Sequence, residues 1–300
     1  MLADTITGRR RRKQALTLVA TALVLVYILA PIAWAIVSSF QKESALEDRP
    51  PRFIPTADIF TLSHYKFIFT GEVDPEATTM IQAQYTMSGT YILPGIVNSI
   101  IIALVVTAIN LLFGLPAGHA FARYRFWGSN PVFMGFLATR LLPAISIVVP
   151  MYILLQQFDQ LDTKRALVGI YSAITLPFTI WILKAYFENI PVEYEEAARM
   201  DGCGYLRAMF KVVIPLARPG IIAAAIFAFM AAYDEFVFAT VLTSSLNAKT
   251  QTVVIAGLAQ GLSASRGLVA AAAVVSFLPP ILLAILFRKQ VVKGLTTRFA

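Results

Sequence analysis

One cysteine, Cys203, stands in a chain of 300 residues. It excludes a disulfide framework and any cysteine-built metal site. There are two histidines, His64 and His119, too far apart in sequence to suggest a histidine metal centre. Charge is scarce: 14% of residues are Asp, Glu, Lys or Arg, against about 25% in ordinary globular domains. With 58% hydrophobic residues and a mean hydropathy of +0.70, a single soluble domain would lack the polar surface to stay in solution. Catalytic signatures are also missing. The chain has no Gly-x-x-x-x-Gly-Lys-Ser/Thr loop, so it does not bind ATP by that device. It has neither a Gly-x-Ser-x-Gly elbow nor His-Glu-x-x-His.

Long apolar runs are what the chain does have. A helix needs about 20 apolar residues to cross the hydrocarbon layer. Six stretches reach or approach that length, and they predict an all-α integral membrane protein with spans at 15–40, 92–122, 131–158, 166–187, 219–243 and 266–287. The remaining segments are a basic N-terminus (1–14), an external loop (41–91), a cytoplasmic loop (188–218), a second external loop (244–265) and a cytoplasmic tail (288–300). The first span is read as retained. Its apolar part exceeds that of a signal peptide, and no small-x-small cleavage site follows before Lys42.

Lysine and arginine are held on the cytoplasmic side, so the run Arg9–Lys13 places both termini there. Arg123 and Arg125, the basic residues of Lys184–Arg218 and those of Arg288–Arg298 then fall on the same side. Loop 41–90 carries four basic and seven acidic residues, as an outer loop should. The net charge of +8 is therefore a signal of topology and of contact with membrane lipid. No basic patch interleaved with aromatics points to nucleic acid. Loop 41–91 has too many apolar residues, among them Phe53, Ile59, Tyr65, Phe67 and Ile68, for a bare linker, and a small folded cap is expected there.

Between the fourth and fifth apolar stretches the sequence turns polar: Glu193-Tyr-Glu-Glu-Ala-Ala-Arg-Met-Asp-Gly-Cys-Gly204. Pro191 suits a first helical turn. Glu193, Glu195 and Glu196 sit near the positive end of that helix, and Glu195 and Arg199, four apart, are expected to pair. Gly202 and Gly204 break the helix, and a second short helix from Tyr205 follows until Pro215 and Pro219. A helical hairpin results. Its apolar members Ala197, Ala198, Met200, Leu206 and Phe210 can pack together or into a partner.

Glu196-Ala197-Ala198, three residues, Gly202, nine residues, then Val212-x-Ile214-Pro215 resembles the EAA loop of bacterial ABC importer permeases. Val212 and Ile214 stand where that family usually has Ile and Leu. Arg140-Leu-Leu-Pro143, Leu161-Asp-Thr163, Leu176-Pro-Phe178 and Tyr233-Asp-Glu-Phe236 look like the maltose-type carbohydrate subgroup. The resemblance implies a type I importer permease in the bacterial inner membrane that binds no cofactor itself. The loop would be a coupling helix, with Glu195, Glu196, Ala197, Ala198, Asp201 and Gly202 facing an ATPase. The implied partners are a second permease subunit (a heterodimer), two cytoplasmic ATPase subunits that hold ATP and Mg, and an extracytoplasmic sugar-binding protein.

Tyr233, Asp234, Glu235 and Arg140 are ionisable or aromatic residues in apolar surroundings. One reading has them line a substrate pathway; the other has them hold spans together. Asn98, Asn110, Gln156, Ser146 and Thr179 are read as interhelical hydrogen-bonding residues. Pro143, Pro150 and Pro177 either kink helices at a gate or are merely tolerated. Segment 244–265, with Asn247, Lys249, Gln251, Gln260 and Gly261, either reaches toward the binding protein or lies at the interface. Two functions are in contention. One is an ATP-driven, binding-protein-dependent carbohydrate permease without enzymatic activity of its own. The other is a carrier that needs no ATPase, for which Asp234 and Glu235 make a poor ion site.

Overall fold

The computed structural model describes residues 2–48, 52, 54–73, 89–124, 126–260 and 264–296. Phe53, Arg125, Gly261, Arg298 and the stretch 74–88 of the first loop lie outside them. Among the described residues the secondary structure is helical apart from one isolated bridge, Gln41 to Phe60. The helices are α1 (Leu2–Ser39), α2 (Glu43–Glu47), α3 (Ser63–Thr70), α4 (Ile92–Arg123), α5 (Ser129–Ala138), α6 (Ala144–Gln157) and α7 (Lys164–Glu188). They continue as α8 (Glu193–Met200), α9 (Tyr205–Leu216), α10 (Arg218–Tyr233), α11 (Val237–Leu242), α12 (Gln251–Ala259) and α13 (Arg266–Thr296).

Lys13–Ser39 of α1, all of α4, all of α7 and Arg266–Arg288 of α13 are each long and apolar enough to cross a membrane. Two bent pairs bring the number to six if each counts as one crossing: Ser129–Leu141 with Ala144–Gln157, at 93°, and Tyr205–Leu216 with Arg218–Tyr233, at 81°. The expected third span, 131–158, is thus not one continuous helix. Pro143 disfavours helical backbone at the residue before it, and Leu142 is extended at φ −72°, ψ 124°. The expected fifth span, 219–243, is also interrupted. α10 stops at Tyr233 and the chain resumes as α11 at Val237.

One compact unit comprises residues 1–90 and 258–275. In it the start of the first loop folds, as its apolar content predicts. Ala45, Leu46, Ile59, Phe67 and Ile68 are buried, and Phe40 packs against Phe60 and Tyr65. Glu43 accepts from the Ser265 hydroxyl and from the Arg266 and Gly267 amides at 2.8–3.1 Å. It thereby satisfies free donors at the start of α13.

The second unit, residues 91–257 and 276–300, is built on α4, which packs along α7 and α10. α4 and α7 approach closely because Gly114 and Gly118, four apart, present no side chain. A Cβ at Gly118 would lie 2.9 Å from the Leu183 Cβ and 3.2 Å from the Lys184 nitrogen. This is the small-xxx-small packing of helices that gain little from hydrophobicity in lipid. In the same seam Asn110 donates to Thr175 at 2.6 Å and Thr179 at 3.3 Å, the interhelical role expected for it. Asn98 instead donates to the Leu246 and Lys249 carbonyls, and Gln156 is exposed. At 1.5 Å per residue α4 is about 48 Å long, against about 30 Å of hydrocarbon. It is therefore longer than one crossing needs.

Candidate functional site

The polar hairpin forms as the sequence suggests, and backbone chemistry fixes its corner. α8 carries Glu193, Glu195 and Glu196 in its first turn, where the helix dipole favours acids. Its C-terminus closes on Gly202, which sits at φ +86°. The Cys203 amide donates to the Ala198 carbonyl, and the Gly202 amide to the Arg199 carbonyl, each at 3.0 Å. Those two bonds make a Schellman cap, which requires a left-handed residue at this position. Nothing lies within 4 Å of where a Gly202 Cβ would stand, so the site demands glycine for its backbone and not for space. α9 follows, with a π turn at Met209–Val213, before Pro215 and the bend into α10.

The outer face of the hairpin is unpartnered in the isolated chain. Glu196, Ala197, Asp201 and Gly202 are exposed, and Ala198 is half-buried. Met200 is 88% exposed, Leu206 71% and Phe210 60%. These apolar members do not bury one another, so of the two expectations for them, packing together fails. A surface of carboxylates flanked by bare apolar side chains suits a protein partner better than solvent.

Glu195 departs from expectation. Its carboxylate does not pair with Arg199 but turns inward to the end of α4. Its Oε1 accepts from the Arg123 Nε at 2.5 Å and its Oε2 lies 3.1 Å from the His119 Nε2. A carboxylate can only accept here, so His119 donates to it from Nε2. The three side chains are 6–13% exposed. Arg123 also donates from Nη2 to the Ile190 carbonyl at 2.8 Å, and His119 meets the Phe187 ring edge-on. Arg199 lies over the Tyr205 ring at 4.1 Å, which ties α8 to α9. Two long-range partners of low exposure, one on each carboxylate oxygen, win over an exposed local pair worth a few tenths of a kcal/mol. His119 and Arg123 were missed as site residues. The signal available was their spacing: four apart at a helix end, they share one face.

The second candidate group comes apart. Asp234 and Glu235 are not adjacent helix positions but occupy the break between α10 and α11. Glu235 accepts from the Phe238 and Ala239 amides at 3.1 and 3.2 Å, covering free donors of α11. Its backbone carbonyl accepts from the Thr252 hydroxyl. Tyr233 is 1% exposed, donates to the Ser276 carbonyl at 3.0 Å and stacks on Phe229, so in this conformation it offers no face to a sugar ring. Arg140 is exposed and reaches the Ile174 carbonyl at 3.4 Å. It does not bridge to Asp234 or Glu235. Asp234 is exposed, which leaves Asp234 and Arg140 as the open members of the set. A cavity of about 390 Å³ beside Met151, Leu155 and Ile170 is apolar except for Gln160 and Arg165, a lining unlike a polyol site.

A third polar cluster fastens the connection between α6 and α7 to the one that follows α11. Asp162, at φ +55°, accepts from the Ser244 and Ser245 amides at 2.9 and 3.0 Å and from the Ser245 hydroxyl. Its own amide donates to the Leu242 carbonyl at 2.9 Å. Partial burial works to raise the Asp162 carboxyl's pKa, but the hydrogen bonds from Ser245 and Ser244 outweigh it and hold the group below the ordinary aspartate value. Beyond this cluster the segment is held down, with the Gln251 amide donating to the Ser99 hydroxyl at 2.9 Å and Ala248 and Val254 buried. No group of three or more His, Cys, Asp or Glu is arranged for a metal ion among the described residues.

Residues 110–297 match the family profile described as binding-protein-dependent transport system inner membrane component. The chain is 32% identical to a trehalose transport system permease protein of Mycobacterium tuberculosis, over 93% of this chain and 94% of that one. It is 32% identical to a trehalose/maltose transport system permease protein of Thermococcus litoralis, over 95% of each. A sulfoquinovosyl glycerol transport system permease protein of Agrobacterium fabrum is 30% identical over 94% and 92%. Among solved structures, a chain of a bacterial ABC transporter involved in the import of the acidic polysaccharide alginate superposes with a TM-score of 0.74. It is 21% identical, with 93% of this chain and 96% of that one covered. At that identity the likeness is one of fold.

Proposed function

The chain belongs to the family of binding-protein-dependent transport inner membrane components, and from that premise we propose that it is the permease subunit of an ATP-driven carbohydrate importer. It provides the path and no covalent chemistry. The observation that carries this reading is the exposed hairpin. Glu196, Ala197 and Gly202 stand on a capped corner that buries nothing of its own and that has the spacing of the EAA loop. Carbohydrate as the cargo rests on relatives named for trehalose, trehalose/maltose and sulfoquinovosyl glycerol. A carrier working alone is disfavoured by Glu235, whose carboxylate is engaged by the amides of α11.

In this proposal the chain lies in the inner membrane with both termini cytoplasmic. It pairs with a second permease subunit of a different sequence, and an extracytoplasmic binding protein delivers the sugar. Two ATPase subunits bind ATP and Mg, close, and displace the hairpins, and the spans pass from inward-open to outward-open. Hydrolysis resets them. Each state needs only a few kcal/mol of bias, well within what a closing ATPase pair can deliver through a rigid contact. Asp234 and Arg140 are the pathway candidates.

The test is to introduce Glu196→Lys and Gly202→Trp together and to measure sugar uptake and recovery of ATPase with the purified complex. We expect the ATPase to dissociate, or its hydrolysis to proceed without uptake. Undiminished uptake with both changes in place would overturn the proposal.

A further inference from the structure

α8 has eight residues and buries none of them fully. A helix that short is unstable alone, and it has no apolar face inside the protein to hold it. What positions it is polar. The cap at Gly202 fixes its end, the Arg199–Tyr205 contact joins it to α9, and Glu195 joins it to α4. Only the last attachment reaches a helix that is neither its predecessor nor its successor. His119 and Arg123 lie 76 and 72 positions away in sequence. Arg123 also holds the Ile190 carbonyl, so one guanidinium grips both the segment leading into α8 and the first turn of α8 itself.

Resting on the reading above, we propose that Glu195, clamped by Arg123 and His119, is the joint that transmits displacement of α8 directly to α4. Without the joint, the side-chain route from α8 to the end of α4 is the indirect one through Arg199, Tyr205 and Tyr124. A push on its outer face would then be absorbed at Pro191–Val192 and at the Gly202–Gly204 turn. With it, the push reaches α4, and α4 is packed along α7 and α10 through the glycine seam. Glu195 is therefore a positioning residue. It points away from the docking face and acts through the two α4 side chains, whereas Glu196 faces outward and contacts the partner.

The experiment uses the assembled transporter in proteoliposomes and reads sugar imported per ATP hydrolysed. Glu195→Gln keeps size and shape but loses the charge that holds Arg123. The ATPase is expected to remain bound and to hydrolyse ATP, while sugar per ATP falls about tenfold, a typical coupling between sites. The exchange Arg123→Glu with Glu195→Arg rebuilds the ion pair between α8 and α4 with its sign reversed and gives up the bond to the Ile190 carbonyl, which is not part of the joint. His119 follows by changing tautomer, since a neutral ring nitrogen can accept from the new guanidinium. This double variant is expected to restore sugar per ATP, which general damage to the fold would not allow.

An unchanged ratio in Glu195→Gln would overturn the joint, as would failure of the exchange to restore it in an assembled complex. Loss of the ATPase on Glu195→Gln would also overturn it, by making Glu195 a docking residue. Should Glu195→Gln fail to accumulate, the exchange decides alone: coupled uptake supports the joint, and failure to accumulate makes the role purely structural. Glu196→Lys separates this from the broader reading. If it releases the ATPase while Glu195→Gln leaves coupling intact, only the joint fails. If it leaves both ATPase and uptake intact, the broader reading fails.

Discussion

Gly202 and Glu195, seven residues apart, do opposite things. Gly202 is required for its backbone. At φ +86° with open space around its missing Cβ, a substitution is penalised by conformation alone. Gly202→Ala is expected to destabilise the corner by about 1–2 kcal/mol, and Gly202→Asn by less, because asparagine tolerates left-handed backbone. Amide exchange at Gly202 and Cys203 in the purified protein measures this directly, and equal exchange in the three proteins would contradict it. Glu195 is required for its charge and reach. Its partners were not legible in the sequence, because the local rule that offered Arg199 knows nothing of residues 72 and 76 positions away. Gly202 was legible, because the Schellman cap is written within six consecutive residues.

At the scale of elements, polar side chains decide where apolar helices stop. Glu235 covers the start of α11, and Asp162 ties the turn before α7 to the turn after α11. Asp162 has its pKa lowered in the folded protein. Its contribution to stability is therefore complete above the unfolded value of about 3.9 and is lost as pH falls through the lower folded value. The gap in thermal unfolding temperature between the natural protein and Asp162→Asn is expected to be widest near neutral pH and to close in acid. A gap that widens on acidification would contradict the assignment. The positions of the apolar stretches were legible because hydropathy over about 20 residues reads membrane thickness. The breaks at Leu142–Pro143 and Asp234–Phe236 were not, because the same averaging runs across a bend. Pro143 and the Asp234–Glu235 pair were visible as residues, but which way the chain turned depended on amides that only the folded protein brings to them.

For the whole molecule, α4 is the common member. It packs on α7 through Gly114 and Gly118, on α10 along its length, and holds α8 through His119 and Arg123. Gly114 and Gly118 could have been read from the sequence as a close-packing pair. The hairpin's proposed role rests on its spacing, while the pathway set Tyr233, Asp234, Glu235 and Arg140 rests on polarity alone. The fold then divided that set, since burial and local capping claim Tyr233 and Glu235. Polarity in an apolar stretch marks a residue that must find partners; it does not say whether the partners are protein or cargo.

On the proposed function, this chain moves sugar only when an ATPase acts on its hairpin. The direct measurement is uptake into liposomes of the sugar retained by the binding protein, by this chain alone and by the complete transporter, with and without ATP. Uptake is expected in one condition, the complete transporter with ATP and Mg. Sustained uptake by this chain alone, or by the complete transporter without ATP, would contradict it.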